Sequence, residues 1–311
     1  MRIRNAFRIV LANVSTMYKI VLYRFVCTAI FALIAYFVVL TDLDPLFKAS
    51  ETVALRDAIF SLIRTFLMGR GDESESIKPA FDAFLQMLAR EHESLVSVGL
   101  ETGGLLMLLR FFYSFGDYAF ATMIDCFMSS MNKPGFLTAS LSGPGKAALY
   151  ALVHTIITFV SDGIILFVGV VVVVYTFSLF SVFSLILSVA LTVFLFALKY
   201  TMLTLFLPNI VCDKQKVVEA LRHSAPSARN FRMLIGGYAF LILLFFYINA
   251  SFGLFTLYIG LILSLPFTSL YFITITLIDR YIVSERSYYT DYDTVVEPKE
   301  KRENADMLKY L

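Results

Sequence analysis

Tryptophan is absent from this 311-residue chain, and charged residues make up only 16% of it. Soluble domains carry about 25% charged and about 45–50% apolar residues. Here 59% of the residues are hydrophobic, and the mean hydropathy is +0.77. This composition excludes a soluble domain and an intrinsically disordered chain. An integral membrane protein remains, in which tyrosine has to supply any aromatic belt at the membrane surface.

Cysteine is also rare, and no pair of cysteines is spaced as CxxC. The three residues Cys27, Cys126 and Cys212 are predicted to be free thiols, which excludes a disulfide-stapled scaffold. The net charge is only +2, so the chain has no global field that would attract nucleic acid. We therefore expect no nucleic-acid partner.

Signatures of common enzyme sites are missing. A zinc-protease helix would need a second histidine four residues after His92, but that position is Val96. The segment 142–146, Ser-Gly-Pro-Gly-Lys, looks like the end of a phosphate-binding loop. However, Ser140 replaces the required first glycine, and Ala147 has no hydroxyl for magnesium. The sequence predicts a protein that is not an enzyme and that needs no cofactor or metal.

Long apolar runs define the membrane spans, because about 20 residues of helix cross the roughly 30 Å hydrocarbon core. Residues 102–124 form the weakest candidate, since Arg110 and Asp117 lie inside it. The predicted fold is an all-α, polytopic membrane helical bundle with interfacial amphipathic helices. Its six predicted spans are residues 20–41, 102–124, 147–174, 180–207, 234–251 and 254–278, within a membrane domain of residues 17–280.

The distribution of basic residues favours six spans over five. Lys and Arg collect on the cytoplasmic side of short loops. Both the N-terminal segment and the loop 209–233 are basic, so an even number of spans should separate them. If 102–124 is counted as a span, eighteen Lys and Arg residues fall on the cytoplasmic side. Six fall in the segment 42–101, which also holds eleven Asp and Glu residues. This predicts cytoplasmic N- and C-termini in a bacterial-type plasma membrane.

Three of the segments outside the predicted spans have a predicted structure of their own. Residues 1–16 are expected to form an interfacial helix, with Ile3, Phe7, Val10, Leu11 and Val14 on one face and with Arg2, Arg4 and Arg8 at lipid headgroups. Residues 42–101 are expected to form an extracytoplasmic cap of two amphipathic helices, which either covers the bundle or docks a solute or partner. Residues 281–311 are expected to form a solvated, partly disordered cytoplasmic tail. Lys19 and Arg24 are expected to snorkel at the start of the first span.

Charged residues within spans cost a few kcal/mol each, so they are normally paired or line a cavity. The candidates are Arg110, Asp117, His154, Asp162 and Lys199. Asp162 lies about 22 Å along the third span and Lys199 about 14 Å above the end of the fourth, so the two side chains can meet. Two interpretations stay open: a solute or proton path, and a structural ion pair that fixes helix register.

One stretch carries a recognisable pattern. Pro208 ends a span, Glu219-Ala220-Leu221 and Ser224 follow, and a basic turn 229–232 precedes two spans with Pro266-Phe267 and Tyr271. The pattern, over residues 205–275, resembles uncharacterised bacterial six-span membrane proteins, including those similar to the membrane domain of some glycerophosphodiester phosphodiesterases. In those enzymes a separate soluble barrel carries the chemistry. The resemblance therefore implies six spans but not the activity.

These observations favour a non-enzymatic scaffold or accessory subunit of a membrane complex. The alternative is a small-solute or ion transporter that uses Asp162, Lys199 and His154. We see no inverted repeat between the two halves of the chain, which disfavours a secondary transporter. The expected partners are the lipid bilayer and either another membrane protein or a second copy of the chain.

Overall fold

Long helices account for most of the chain in the computed structural model, which describes residues 2–39, 44, 47–68, 77–177, 181–226, 228–256 and 260–298. The long helices are α2 (Val14–Val38), α3 (Ser50–Met68), α4 (Ile77–Arg90), α5 (His92–Ser130), α7 (Pro144–Phe177), α8 (Ser181–Leu203), α11 (Ala228–Phe255) and α12 (Leu261–Val283). Shorter helices are α1 (Arg2–Ala12), α6 (Phe136–Leu141), α9 (Phe206–Val211) and α10 (Val217–Arg222). The predicted all-α polytopic bundle is confirmed.

Within the described ranges, five helices are long and apolar enough to cross a membrane: Val14–Val38, Val96–Ser130, Pro144–Tyr175, Ile186–Val211 and Phe231–Phe255. Each has 25 residues or more, which at about 1.5 Å per residue exceeds the hydrocarbon thickness. The doubtful segment 102–124 falls inside the second of them. The chain is thus a multi-pass membrane protein.

The sixth predicted span, 254–278, coincides with the end of α11 and most of α12. Residues 257–259 of this span lie outside the described part of the chain. Helix α12 is 23 residues long and contains Pro266. The count of six spans stays a prediction.

The helices belong to two compact units. Unit 1 comprises Met1–Cys27, Arg110–Ile165 and Leu191–Leu311. Its core contains a helical stripe of fully buried side chains on α5, formed by Phe120, Ile124 and Phe127. Outward, α7 presents the exposed apolar residues Leu152, Ile156 and Val160 at a spacing of four residues. Exposure of such a stripe to water would be costly, whereas a helix surface that contacts lipid is ordinarily apolar.

Unit 2 comprises Thr28–Leu109 and Leu166–Ala190. Helices α3 and α4 pack on each other in it, as the predicted hairpin of amphipathic helices requires. The linker predicted between them, residues 69–76, lies outside the described residues. The predicted cap extends to residue 101, whereas α5 already begins at His92. Residues 92–101 therefore belong to the long helix that contains the predicted second span.

Helix α1 differs in part from the predicted interfacial helix 1–16. It ends at Ala12, and α2 begins at Val14. One face of α1 packs against α12 and is buried, at Asn5, Ala6, Ile9 and Val10. The placement of Val10 on the lipid face is therefore wrong. The remaining apolar residues of that face, Ile3, Phe7, Leu11 and Val14, are exposed, as are Arg4 and Arg8.

Side-chain contacts in unit 1 join the four segments that the charge pattern placed on one side of the membrane. Lys133 Nζ donates to the carbonyl oxygen of Ala12 at 2.6 Å and also contacts the hydroxyl of Tyr292. Lys146 donates to the carbonyl oxygen of Lys214 at 2.9 Å. These contacts agree with an even number of spans between the segments.

The prediction of a solvated tail is wrong for residues 281–296. Strands β1 (Tyr288–Tyr289) and β2 (Val295–Val296) pair antiparallel. Tyr288 is buried, and its hydroxyl accepts a hydrogen bond from Asn5 Nδ2 at 2.9 Å. Docking of the hairpin thus satisfies the buried Asn5 amide through a contact across nearly the whole sequence. Residues 299–311 lie outside the described residues.

Cysteine labelling can test the predicted orientation. Val218 on α10 and Arg90 on α4 are both well exposed. In a background with the three native cysteines replaced by alanine, Arg90→Cys should react with a membrane-impermeant maleimide on intact cells. Val218→Cys should react only after the membrane is opened. Labelling of both variants from the same side would contradict an even number of spans between the N-terminus and α10.

Candidate functional site

Asp162 on α7 and Lys199 on α8 form an ion pair in unit 1. The contact that helix arithmetic allowed is present. The lysine side chain is only 8% exposed, whereas the carboxylate side chain is 34% exposed. Aromatic rings complete the lysine's surroundings, since its Nζ lies 5.4 Å from the ring centre of Phe196 and 5.3 Å from that of Tyr200. The ammonium is thus held by one carboxylate and two ring faces.

A second ion pair joins Arg24 on α2 to Asp117 on α5. Both side chains are almost fully buried, with 3% and 9% exposed. The prediction that Arg24 snorkels to the membrane surface is therefore wrong. Sequence reasoning missed the arginine as a site residue because the apolar run starts after it, whereas α2 begins ten residues earlier, at Val14.

The Arg24 guanidinium reaches a third helix. Its Nη2 donates to Ser269 Oγ at 3.1 Å, and its Nη1 donates to the carbonyl oxygen of Pro266 at 3.3 Å, both on α12. The guanidinium also lies over the ring of Tyr113, 5.3 Å from its centre. One planar cation thus ties together α2, α5 and α12, which matches the forked donor geometry of arginine.

His154 on α7 pairs with Ser114 on α5 through Nδ1, at 2.9 Å. Its ring stacks on that of Tyr150, with the ring centres 5.2 Å apart and an interplanar angle of 18°. Thr158 donates its hydroxyl to the carbonyl oxygen of His154 at 2.7 Å. The predicted common face of His154, Thr158 and Asp162 therefore exists, and two of its members contact neighbouring helices.

Arg110 stands apart from the two pairs. No ion pair joins it to a carboxylate of the described residues, and these residues provide no hydrogen-bond partner for its buried Nε. It lies within electrostatic range of His154 and Lys199. Apart from the histidine, the intramembrane cluster holds three cations, Arg24, Arg110 and Lys199, against two carboxylates.

The cluster offers cations and hydrogen bonds rather than a catalytic constellation. Within the part of the chain that the structure describes, no three His, Cys, Asp or Glu side chains form a group able to hold a metal ion. All three cysteines are free, as predicted. Burial and the nearby Asp125 raise the pKa of the Cys212 thiol, so this cysteine stays protonated at neutral pH and is a weak nucleophile.

A second polar cluster lies beyond the end of α9, and sequence reasoning missed it. Asp213 accepts hydrogen bonds from Arg280 Nε at 2.6 Å and pairs with Arg286 at 3.1 Å. Nearby, Tyr281 donates to Asp125 at 2.8 Å. The only signal in the sequence was the excess of basic residues in these segments. Such an excess predicts the side of the membrane but not which residues pair. This cluster anchors the docked tail to the loop after α9.

Comparison with known proteins gives no relative: no family model, no curated protein and no solved structure matches the chain.

Proposed function

We propose that this membrane protein is a non-enzymatic scaffold or accessory subunit of a membrane complex. The observation that carries the proposal is the pairing of Arg24 with Asp117 and of Lys199 with Asp162, each between different helices. Four of the five charges in the cluster are thereby neutralised by a neighbour. Groups that move an ion or solute need to exchange partners, whereas groups that fix helix register do not.

The Arg24–Asp117 pair supports a fixed bundle most directly. Both partners are buried, and the arginine additionally contacts a serine and a backbone carbonyl on α12. Shifting any one of the three helices by a turn would break several charge-assisted bonds together. Such an arrangement suits a protein that presents a constant surface to a partner.

Residues 205–275 support the same view. In the pattern that resembles the uncharacterised six-span proteins, Pro208 is buried, the carbonyl oxygen of Ser224 accepts from Leu205 N at 3.0 Å, and Tyr271 donates to the carbonyl oxygen of Ile3 at 2.6 Å. The motif residues thus make packing contacts. We propose that the resemblance is a similarity of membrane architecture in a bacterial-type plasma membrane, with both termini cytoplasmic.

A second candidate function is a path for an anion or proton. The orphaned Nε of Arg110 and the partly exposed Asp162 favour it, because a cationic cluster with one free donor can receive a mobile anion. In this candidate function Arg110, Asp162 and Lys199 take part in transport, a role that the scaffold does not require.

Neutralising the Asp162–Lys199 pair distinguishes the two functions. Asp162→Asn or Lys199→Met alone should lower the free energy of unfolding by about 2–4 kcal/mol, since each leaves one unpaired charge. The double variant should regain most of this loss. If the chain is a scaffold, the double variant and Arg110→Leu should both complement a deletion strain as well as wild type.

Reconstituted vesicles provide the second measurement. We expect wild-type protein to cause no proton or chloride flux above that of empty vesicles. The opposite result would be a wild-type flux that is lost in the folded double variant or in Arg110→Leu, together with failed complementation by that variant. This result would overturn the scaffold function and establish the path. Arg56→Ala is the control, because it removes only an exposed pair with Asp57, so it should cost less than about 1 kcal/mol of stability and leave the flux unchanged.

A further inference from the structure

A pocket of about 250 Å³ lies in unit 1 between α1, α11 and α12. Arg2 and Asp279 form its polar end, and Phe240, Leu241 and Ile275 form apolar walls. Sites for whole drug-sized ligands measure about 300–1,000 Å³. This pocket therefore suits a small polar group whose remaining part lies outside, along the helices.

The polar end offers an acceptor beside a cation. Arg2 Nη1 donates to Asp279 Oδ1 at 2.7 Å. Asp279 Oδ2 is buried, and the described residues give it no hydrogen-bond partner. The carboxylate side chain is only 7% exposed, whereas that of Arg2 is 31% exposed and has further N–H donors. A buried, unsatisfied carboxylate oxygen is costly unless a donor reaches it.

The pocket lies where a lipid headgroup would be expected. Asp279 directly follows the predicted span 254–278, and Arg2 belongs to the helix predicted at the membrane surface. The side chains beside the polar end are apolar and exposed, Ile3 and Phe240 among them. A polar group entering here would have its apolar chains on a surface already suited to hydrocarbon.

We propose that this pocket binds the headgroup of an ethanolamine phospholipid. The ammonium donates to Asp279 Oδ2, the phosphate accepts from Arg2, and an acyl chain runs along Phe240 and Leu241. The zwitterionic headgroup matches the charges of the pocket one for one. A choline headgroup has no N–H to donate, and a glycerol headgroup has no cation for the carboxylate. This inference goes beyond the scaffold function and does not depend on it.

Native mass spectrometry of the delipidated full chain tests the assignment, with ethanolamine, choline and glycerol phospholipids of identical acyl chains. We expect the ethanolamine lipid to bind about tenfold more tightly than either other lipid, as one hydrogen bond to a buried charge implies. Asp279→Asn should remove this preference. Equal affinity for all three lipids, or a preference for the anionic glycerol lipid, would overturn the proposal.

Gly237 provides a variant that leaves both charges in place. It lines the pocket, and a Cβ added there meets nothing within 4 Å, so a leucine can extend into the space. Leucine also favours a helix more than glycine does, which protects the fold. Gly237→Leu should reduce binding of the ethanolamine lipid at least about tenfold.

Gly236 is the matched control, because it is equally open but does not line the pocket. Gly236→Leu should bind the lipid like wild type. Unchanged binding by Gly237→Leu, or equal loss in both glycine variants, would refute the pocket as the site. Free phosphoethanolamine at the lipid's concentration should not displace the lipid. Full displacement would identify a soluble ligand instead.

Discussion

Asp117→Asn is expected to lower the free energy of unfolding by about 3–5 kcal/mol, because it leaves the Arg24 guanidinium buried without its carboxylate. Replacing both partners, as Arg24→Met with Asp117→Leu, should recover most of that loss, since no charge then remains inside the bundle. Reversible unfolding by dodecyl sulfate in mixed micelles, followed by circular dichroism, measures both quantities.

Arg56 and Asp57 on α3 form the reference pair, at 3.0 Å and with both side chains mostly exposed. Arg56→Ala should cost less than about 1 kcal/mol. If Asp117→Asn were as mild as this reference, Arg24 would have to reach water, and the fixed three-helix junction would be refuted. A double variant as unstable as the single one would show that the charges themselves stabilise the bundle.

Tyr288→Ala is expected to cost about 3–5 kcal/mol, as truncation of a fully packed aromatic ring does. The ring is buried and packs edge-on against Tyr281 with centres 5.8 Å apart, and the hydroxyl oxygen accepts a hydrogen bond from Asn5 Nδ2. Tyr288→Phe removes only the hydroxyl and should cost about 1–3 kcal/mol, because the Asn5 amide then stays buried without its acceptor. The same unfolding measurement applies.

Val295 on β2 is the control for the hairpin, since its side chain is 43% exposed. Val295→Ala should change the free energy of unfolding by about 0.5 kcal/mol or less. Limited proteolysis gives an independent reading: Tyr288→Ala should open a cleavage site between residues 284 and 296 that wild type protects. Equal protease resistance of Tyr288→Ala and wild type would contradict a docked hairpin.

The membrane helices could be predicted because the bilayer imposes a simple rule. Every backbone polar group in hydrocarbon must be satisfied within its own helix, so a span shows as a long apolar run. Even 102–124 could be predicted despite Arg110 and Asp117, since the charge pattern on either side required it. The Asp162–Lys199 contact was also accessible, because the two helices are consecutive and the rise per residue sets their depth.

Arg24 shows where such reasoning fails. Its depth depends on where α2 begins, and the apolar run starts after the arginine while the helix starts at Val14. Arg24 lies about 15 Å along that helix, and composition alone does not reveal this depth. Its partner is 93 residues away, in a helix that is not a sequence neighbour.

The prediction of a solvated tail failed for a related reason. Strands of two residues carry no periodic signal, and a charged segment with a proline is typical of disorder. The buried Tyr288 hydroxyl bonds to Asn5, 283 residues earlier, and no local pattern reports that contact. The buried face of α1 was missed likewise, because an amphipathic helix does not reveal whether protein or lipid covers each side.

The contacts of α1 set an order of events during synthesis. Asn5 meets Tyr288, Arg2 meets Asp279, and the carbonyl oxygen of Ile3 meets Tyr271. Because α1 is synthesised before all three partners, it can meet them only after residues 271–288 have been made. Until then the buried face of α1, including the Asn5 amide, lacks these partners. A chain stopped before residue 271 would carry all but one of its predicted spans and would still lack all three of these contacts.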